Sequence, residues 1–98
     1  MHGHMNPTQT IIVPARTVAS RVMGDSALLI HPEADEIKLT NEVGTLVWRL
    51  VCERRHTAAA ITDAVVAAFD VDAATAGADV ASFLEELSRA DLIERVDP

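Results

Sequence analysis

The side chains of this 98-residue chain that could do chemistry are few and scattered: four histidines (His2, His4, His31, His56), one cysteine (Cys52), and two close carboxylate pairs, Glu85 with Glu86 and Asp70 with Asp72. Hydrolysis needs a nucleophile beside a base. Here His2 and His4 sit near the N-terminus, His31 ends an apolar run and His56 falls between two helical patterns, so no such pair arises. One cysteine and dispersed histidines match no zinc-ligand spacing. Gly24, Gly44 and Gly77 are isolated, and no Gly-Lys-Ser/Thr run follows a strand, so no phosphate loop is present. The carboxylate pairs read as solvated helix faces and caps, because nothing apolar surrounds them to raise the pKa of one member. Cys52 falls on the side of its helix away from the apolar stripe and reads as an ordinary thiol. These features point away from an enzyme, with no catalytic residue, metal or cofactor expected.

The elements that would position a site come from one small domain, since 98 residues with 49% hydrophobic content suffice for a single core. A lone cysteine excludes an internal disulfide framework and suits a reducing compartment. No apolar run approaches the ~20 residues of a membrane span, and no secretory signal opens the chain, so a soluble cytoplasmic protein is expected. A net charge of -7, with fifteen acids against eight unclustered bases, works against binding a nucleic-acid backbone.

Residues 1–10 lack periodicity and read as a disordered lead-in to a domain over 11–98; Met1 to His4 reads as a cloning remnant ahead of Met5. Ile11, Ile12, Val13 and Pro14 form a short extended edge piece, because proline cannot serve a central strand. Residues 17–23 alternate as a strand, Gly24-Asp25 is a two-residue turn, and 27–31 is apolar enough for a buried or doubly covered strand. After turn residues 32–35, Glu36, Ile37, Lys38 and Leu39 alternate, which places Ile37 and Leu39 toward the core and Glu36 and Lys38 outward. Asn41 caps a helix whose stripe is Val43, Leu46, Val47, Leu50 and Val51, with Trp48 half-buried at its border. Thr57 caps a second helix over 58–69. A third runs from about 73 or 75 to 90 with Val80, Phe83, Leu84 and Leu87 on one face, and the patch at 91–96 returns to cover the core. The fold class is α+β, winged helix-turn-helix-like: a three-stranded antiparallel sheet followed by three helices.

Three binding functions fit this plan. A winged-helix DNA-binding regulator would lay its third helix in a groove; that helix carries Asp79, Glu85 and Glu86 against Arg89, which repels phosphates. A dimerisation module would pair two open sheet edges. The third function adds an extended peptide to the sheet as a further strand.

The run Leu28-Leu29-Ile30, then Leu39-Thr40-Asn41-Glu42-Val43-Gly44-Thr45-Leu46-Val47-Trp48-Arg49-Leu50, then Asp79-Val80-x-x-Phe83-Leu84-x-x-Leu87, ending in Asp91-Leu92-Ile93, resembles the PqqD-like family of precursor-peptide recognition elements. The likeness spans 18–96, and its most specific part is Leu-x-Asn-x-x-Gly-x-x-x-Trp. The resemblance implies a non-catalytic domain without cofactor, monomeric or weakly dimeric. It would bind the leader segment of a ribosomally made, post-translationally modified peptide and present it to a radical SAM enzyme, a leader peptidase or a cyclase. It also implies the site: Glu36, Ile37, Lys38 and Leu39 on the strand side, and Val80, Phe83, Leu84 and Leu87 on the helix side. A proline at Lys38 is then expected to remove a strand N–H that the peptide uses. The family often has glycine after the first helix and Gly-Leu near the C-terminus, where this chain has Glu53-Arg54-Arg55-His56 and Asp91-Leu92.

Overall fold

The computed structural model describes residues 10–34 and 36–97; Met1 to His4, and the expected lead-in apart from Thr10, lie outside them. Thr10 itself is buried, which moves it from the lead-in to the domain. In chain order the elements are β1 (Ile11–Pro14), β2 (Ala19–Met23), β3 (Ser26–His31), β4 (Glu36–Leu39), α1 (Glu42–Cys52), α2 (Ala58–Phe69), α3 (Ala73–Arg89) and β5 (Ile93–Val96). Among the described residues no helix is long and apolar enough to cross a membrane.

β2, β3 and β4 form an antiparallel meander with β3 in the centre. Its first turn falls at Gly24 and Asp25, where Gly24 takes a φ of 63° that suits a residue without a Cβ. β1 and β5 make a separate two-stranded sheet, Ile11 opposite Val96 and Pro14 opposite Ile93. The C-terminal patch thus returns as a strand, and Ile12, Val13, Leu92 and Ile93 are buried.

Only one face of the meander is covered. Along β3, Ala27, Leu29 and His31 are buried while Ser26, Leu28 and Ile30 are half-exposed, so the strand expected to be buried or doubly covered is covered on one face. The register pairs Leu29 with Lys38, Leu28 with Leu39 and Ile30 with Ile37. Lys38 therefore shares the helix-facing side of Leu29, and Ile37 and Leu39 point to the open face, 68% and 66% exposed. This reverses the expected orientation of β4. Charge alternation within one strand shows its period, whereas the neighbouring strand's register decides which face is covered.

α1 packs on β3, α2 and β1 together, so its buried arc is wider and differently centred than the expected stripe. Gly44, Thr45, Val47, Trp48 and Val51 are buried, whereas Val43, Leu46 and Leu50 pack at the margin. Trp48, expected at the border, is fully buried and is the largest side chain of the core. Each helix has a side-chain cap: Asn41 Oδ1 accepts from Gly44 N at 2.8 Å, Thr57 Oγ1 from Ala60 N at 3.1 Å, and the Asp72 carboxylate from Ala74 N and Thr75 N.

The strand-to-helix junction is tied by a buried hydrogen-bond relay. Ala27 N–H donates to Thr40 Oγ1 at 3.0 Å, the Thr40 and Thr45 hydroxyls lie 2.6 Å apart, and the Thr45 hydroxyl reaches the carbonyls of Asn41 at 2.7 Å and Asp25 at 3.0 Å. Thr40→Val would keep the volume and leave the buried Ala27 N–H without its partner, while the Thr45 hydroxyl keeps the carbonyls of Asn41 and Asp25. It is expected to lower the unfolding free energy by ~1–3 kcal/mol in urea denaturation.

Arg54 and Asp91 occupy the left-handed region, with φ of 60° and 58°. These are the two places where the chain departs from the glycines that the resemblance leads one to expect. A Cβ in that region costs roughly 1–2 kcal/mol, part of which glycine offsets by its greater freedom in the unfolded chain. Arg54→Gly should accordingly raise stability by about 0.5–1 kcal/mol, read as an upward shift of the thermal midpoint.

Candidate functional site

β4 is an edge of its sheet, and the phase of the ladder says which of its backbone groups are open. Thr40 N–H donates to the Ala27 carbonyl at 2.9 Å, and the register continues without a bulge to Glu36 opposite His31. Antiparallel partners alternate between hydrogen-bonded and non-hydrogen-bonded pairs. Lys38 therefore turns its N–H and C=O toward β3, while Ile37 and Leu39 turn theirs to the open side. This corrects the expected role of the Lys38 N–H: a proline there would break β3–β4 pairing, and the exposed donors belong to Ile37 and Leu39.

Across that open side stands α3. The two elements are bridged by side chains: Lys38 Nζ meets Glu86 Oε1 at 2.7 Å and lies 5.9 Å from the centroid of the Phe83 ring. A depression of about 470 Å³ is lined by Ile37, Lys38, Glu86, Arg89 and Ala90. A second, of about 340 Å³, is lined by Asn41, Val43, Gly44, Asp79, Ser82, Phe83 and Glu86. Glu86 borders both, so the Lys38–Glu86 pair marks the division between them.

Of the residues expected at the site, Ile37, Lys38 and Phe83 line these depressions, and Leu39 lies exposed on the same edge. The side chain of Glu36 lies outside the described part. Val80, Leu84 and Leu87 are in the core at 1%, 2% and 0% exposure, beneath the surface that Phe83 presents. Asp79, Ser82, Glu86 and Arg89 were not among the expected site residues. Their signal was the helical face adjoining the core stripe at 80, 84 and 87, a face that reads in sequence as plain solvent exposure.

Phe83 is placed by α1. A Cβ on Gly44 would come within 3.1 Å of Phe83 Cζ and 3.1 Å of Thr40 Cβ, so the missing side chain allows the ring to lie against the first turn of α1.

Among the described residues, three further groups have shifted pKa values. The Cys52 thiol pKa is raised, by desolvation first and against the pull of Arg54, opposite to the shift that activates a nucleophile. Glu53 is held below the usual carboxylate range chiefly by its hydrogen bond with His56. Asp72 is lowered by its bond from the Thr75 hydroxyl and then by the helix N–H groups, as a cap requires. Among the described residues no three His, Cys, Asp or Glu side chains group to hold a metal.

A three-stranded sheet whose β4 edge faces the last of three helices defines a winged-helix-like domain. Residues 26–93 match the model of the coenzyme PQQ synthesis protein D (PqqD) family, and the chain belongs to that family. Comparison with curated proteins finds no match. Among solved structures the chain is similar to TbiB1 in complex with the TbiA(beta) leader peptide, with a TM-score of 0.77 and 28% identity over 84% of this chain and 94% of that one. It is also similar to the PqqD truncation of Methylobacterium extorquens PqqCD, a functional and stand-alone recognition element for ribosomally synthesized and post-translationally modified peptides. That solution structure matches with a TM-score of 0.69 and 25% identity, over 93% of this chain and 100% of the other.

Gly44→Ala tests the seat of Phe83. Alanine gains up to about 1 kcal/mol in helix propensity, yet Thr40 is pinned by the buried relay and cannot yield. The expected outcome is a net loss of ~1 kcal/mol in denaturation, with shifted Phe83 ring resonances in NMR spectra.

Proposed function

We propose that this chain is a non-catalytic recognition domain. It binds the leader segment of a ribosomally made precursor peptide as an added strand along β4 and presents it, in the cytoplasm, to a tailoring enzyme such as a radical SAM enzyme, a leader peptidase or a cyclase. The observation that carries this reading is the open edge of β4, whose free backbone groups face the cleft under α3. Main-chain hydrogen bonds would supply affinity, and Ile37, Lys38, Leu39 and Phe83 the side-chain contacts. Val80, Leu84 and Leu87 hold α3 in place from the core. Family membership and the leader-bound relative support the same reading.

Titration with a synthetic leader from a precursor frame neighbouring this gene should give a Kd in the low-micromolar range or below. Ile37→Pro removes one of the outward N–H groups at an exposed edge position, where proline is tolerated. It should weaken binding at least about tenfold, roughly 1.4 kcal/mol, while circular dichroism and the melting midpoint stay near those of the parent protein. Unchanged affinity in that folded variant would exclude strand addition at β4.

A further inference from the structure

We infer that the Lys38–Glu86 ion pair is a latch across the β4–α3 cleft, and that the segment which displaces it carries an acidic residue between two apolar residues. This rests on the strand-addition reading above and adds to it the side-chain pattern that the edge selects.

The pattern follows from the ladder phase. An antiparallel strand added to β4 would exchange main-chain hydrogen bonds with Ile37 and Leu39. Lys38 then falls in the non-hydrogen-bonded pair, where facing residues approach most closely, at about 4.5 Å between Cα atoms. The residue opposite Lys38 points into the cleft, into the space that the Lys38–Glu86 bridge now spans at 2.7 Å. Its two neighbours point the other way, onto the open face beside Ile37 and Leu39. Those two side chains are 68% and 66% exposed, and apolar cross-strand partners would cover them.

The two members of the latch differ in how they tolerate separation. The Glu86 side chain is 55% exposed and the Lys38 side chain 31%. Glu86 can turn into water at little cost, as exposed ion pairs contribute little. Lys38 loses its remaining water under a bound strand, and a charge so desolvated requires a partner. A carboxylate opposite it replaces Glu86 and keeps the charge balance. A neutral residue there leaves Lys38 tied to Glu86 across the path of the chain, and a basic one meets it head-on. Phe83 does not relieve this, since its ring centroid is 5.9 Å from Nζ, at the outer limit of a cation–π contact.

The test is selection of a random twelve-residue peptide display library on the full chain. Selected peptides are resynthesised, mapped by NMR shifts of β4 and α3, and titrated by fluorescence polarisation. Peptides mapping to the cleft should carry Asp or Glu flanked by apolar residues. Changing that acid to its amide should weaken binding about fivefold, the upper range for an opposite-charge cross-strand pair. Glu86→Gln should tighten binding of the acidic peptide about two- to fivefold, and Lys38→Glu should reverse the preference in favour of a lysine-substituted peptide. Lys38→Met, which keeps the stem and removes the charge, should abolish any preference between the acid and its amide. Peptides that bind the cleft without an acidic preference, or a preference unaltered by the Lys38 variants, would overturn the latch and leave strand addition standing. Failure of any peptide to shift β4 and α3 would overturn both.

Discussion

The buried pair of threonine hydroxyls at the end of β4 is the interaction on which the remaining geometry rests. Thr40 is the last residue before the Asn41 cap, and its hydroxyl closes the sheet ladder at Ala27 in place of a backbone group. Thr45, one turn into α1, completes the relay back to the turn before β3. One short polar chain thus joins the edge strand, the central strand and the first helix inside an otherwise apolar core, where unpaired polar groups are costly. Because α1 is held at that junction, Gly44 faces Phe83 so closely that an added Cβ would lie within 3.1 Å of the ring. α3 is thereby set beside the open edge, where Glu86 reaches Lys38.

Open edges invite unwanted pairing, and the fold treats its edges differently. β1 and β5 are short and pair with each other. β2 lies on an exposed wing with both faces in solvent. β4 is overlooked by a helix and carries an inward-pointing lysine, a common device against edge-to-edge association. That lysine is held by Glu86 and not left loose. Under the latch proposed above, guarding the edge and selecting what is admitted to it would fall to the same side chain, with the choice resting on local charge.

Local charge matters here because the global charge opposes it. At -7 the chain is acidic, and α3 presents Asp79, Glu85 and Glu86, with Arg89 held by Glu85 at 3.3 Å. That surface repels a phosphate backbone. Ionic screening confines such fields to about 8–10 Å, so a chain added along β4 as proposed would meet Lys38 first.

How much of this was legible in the chain depends on the range of the forces involved. Asn41, Thr57 and Asp72 as caps, Gly24-Asp25 as a turn, and the three helical periods follow from interactions within a few residues, and sequence alone determined them. The Leu-x-Asn-x-x-Gly-x-x-x-Trp run likewise marked the family. Tertiary structure decided what needs a partner from elsewhere in the chain. Trp48 went from border to centre because α1 is covered on more than one side. Ile37 and Leu39 were turned outward by the register with β3, not by their own alternation. Glu86, in sequence one of two adjacent solvated acids, became the counterion of a lysine 48 positions away. An edge strand's period is written in its residues, but the face it shows and the group it meets are set only when its neighbours dock.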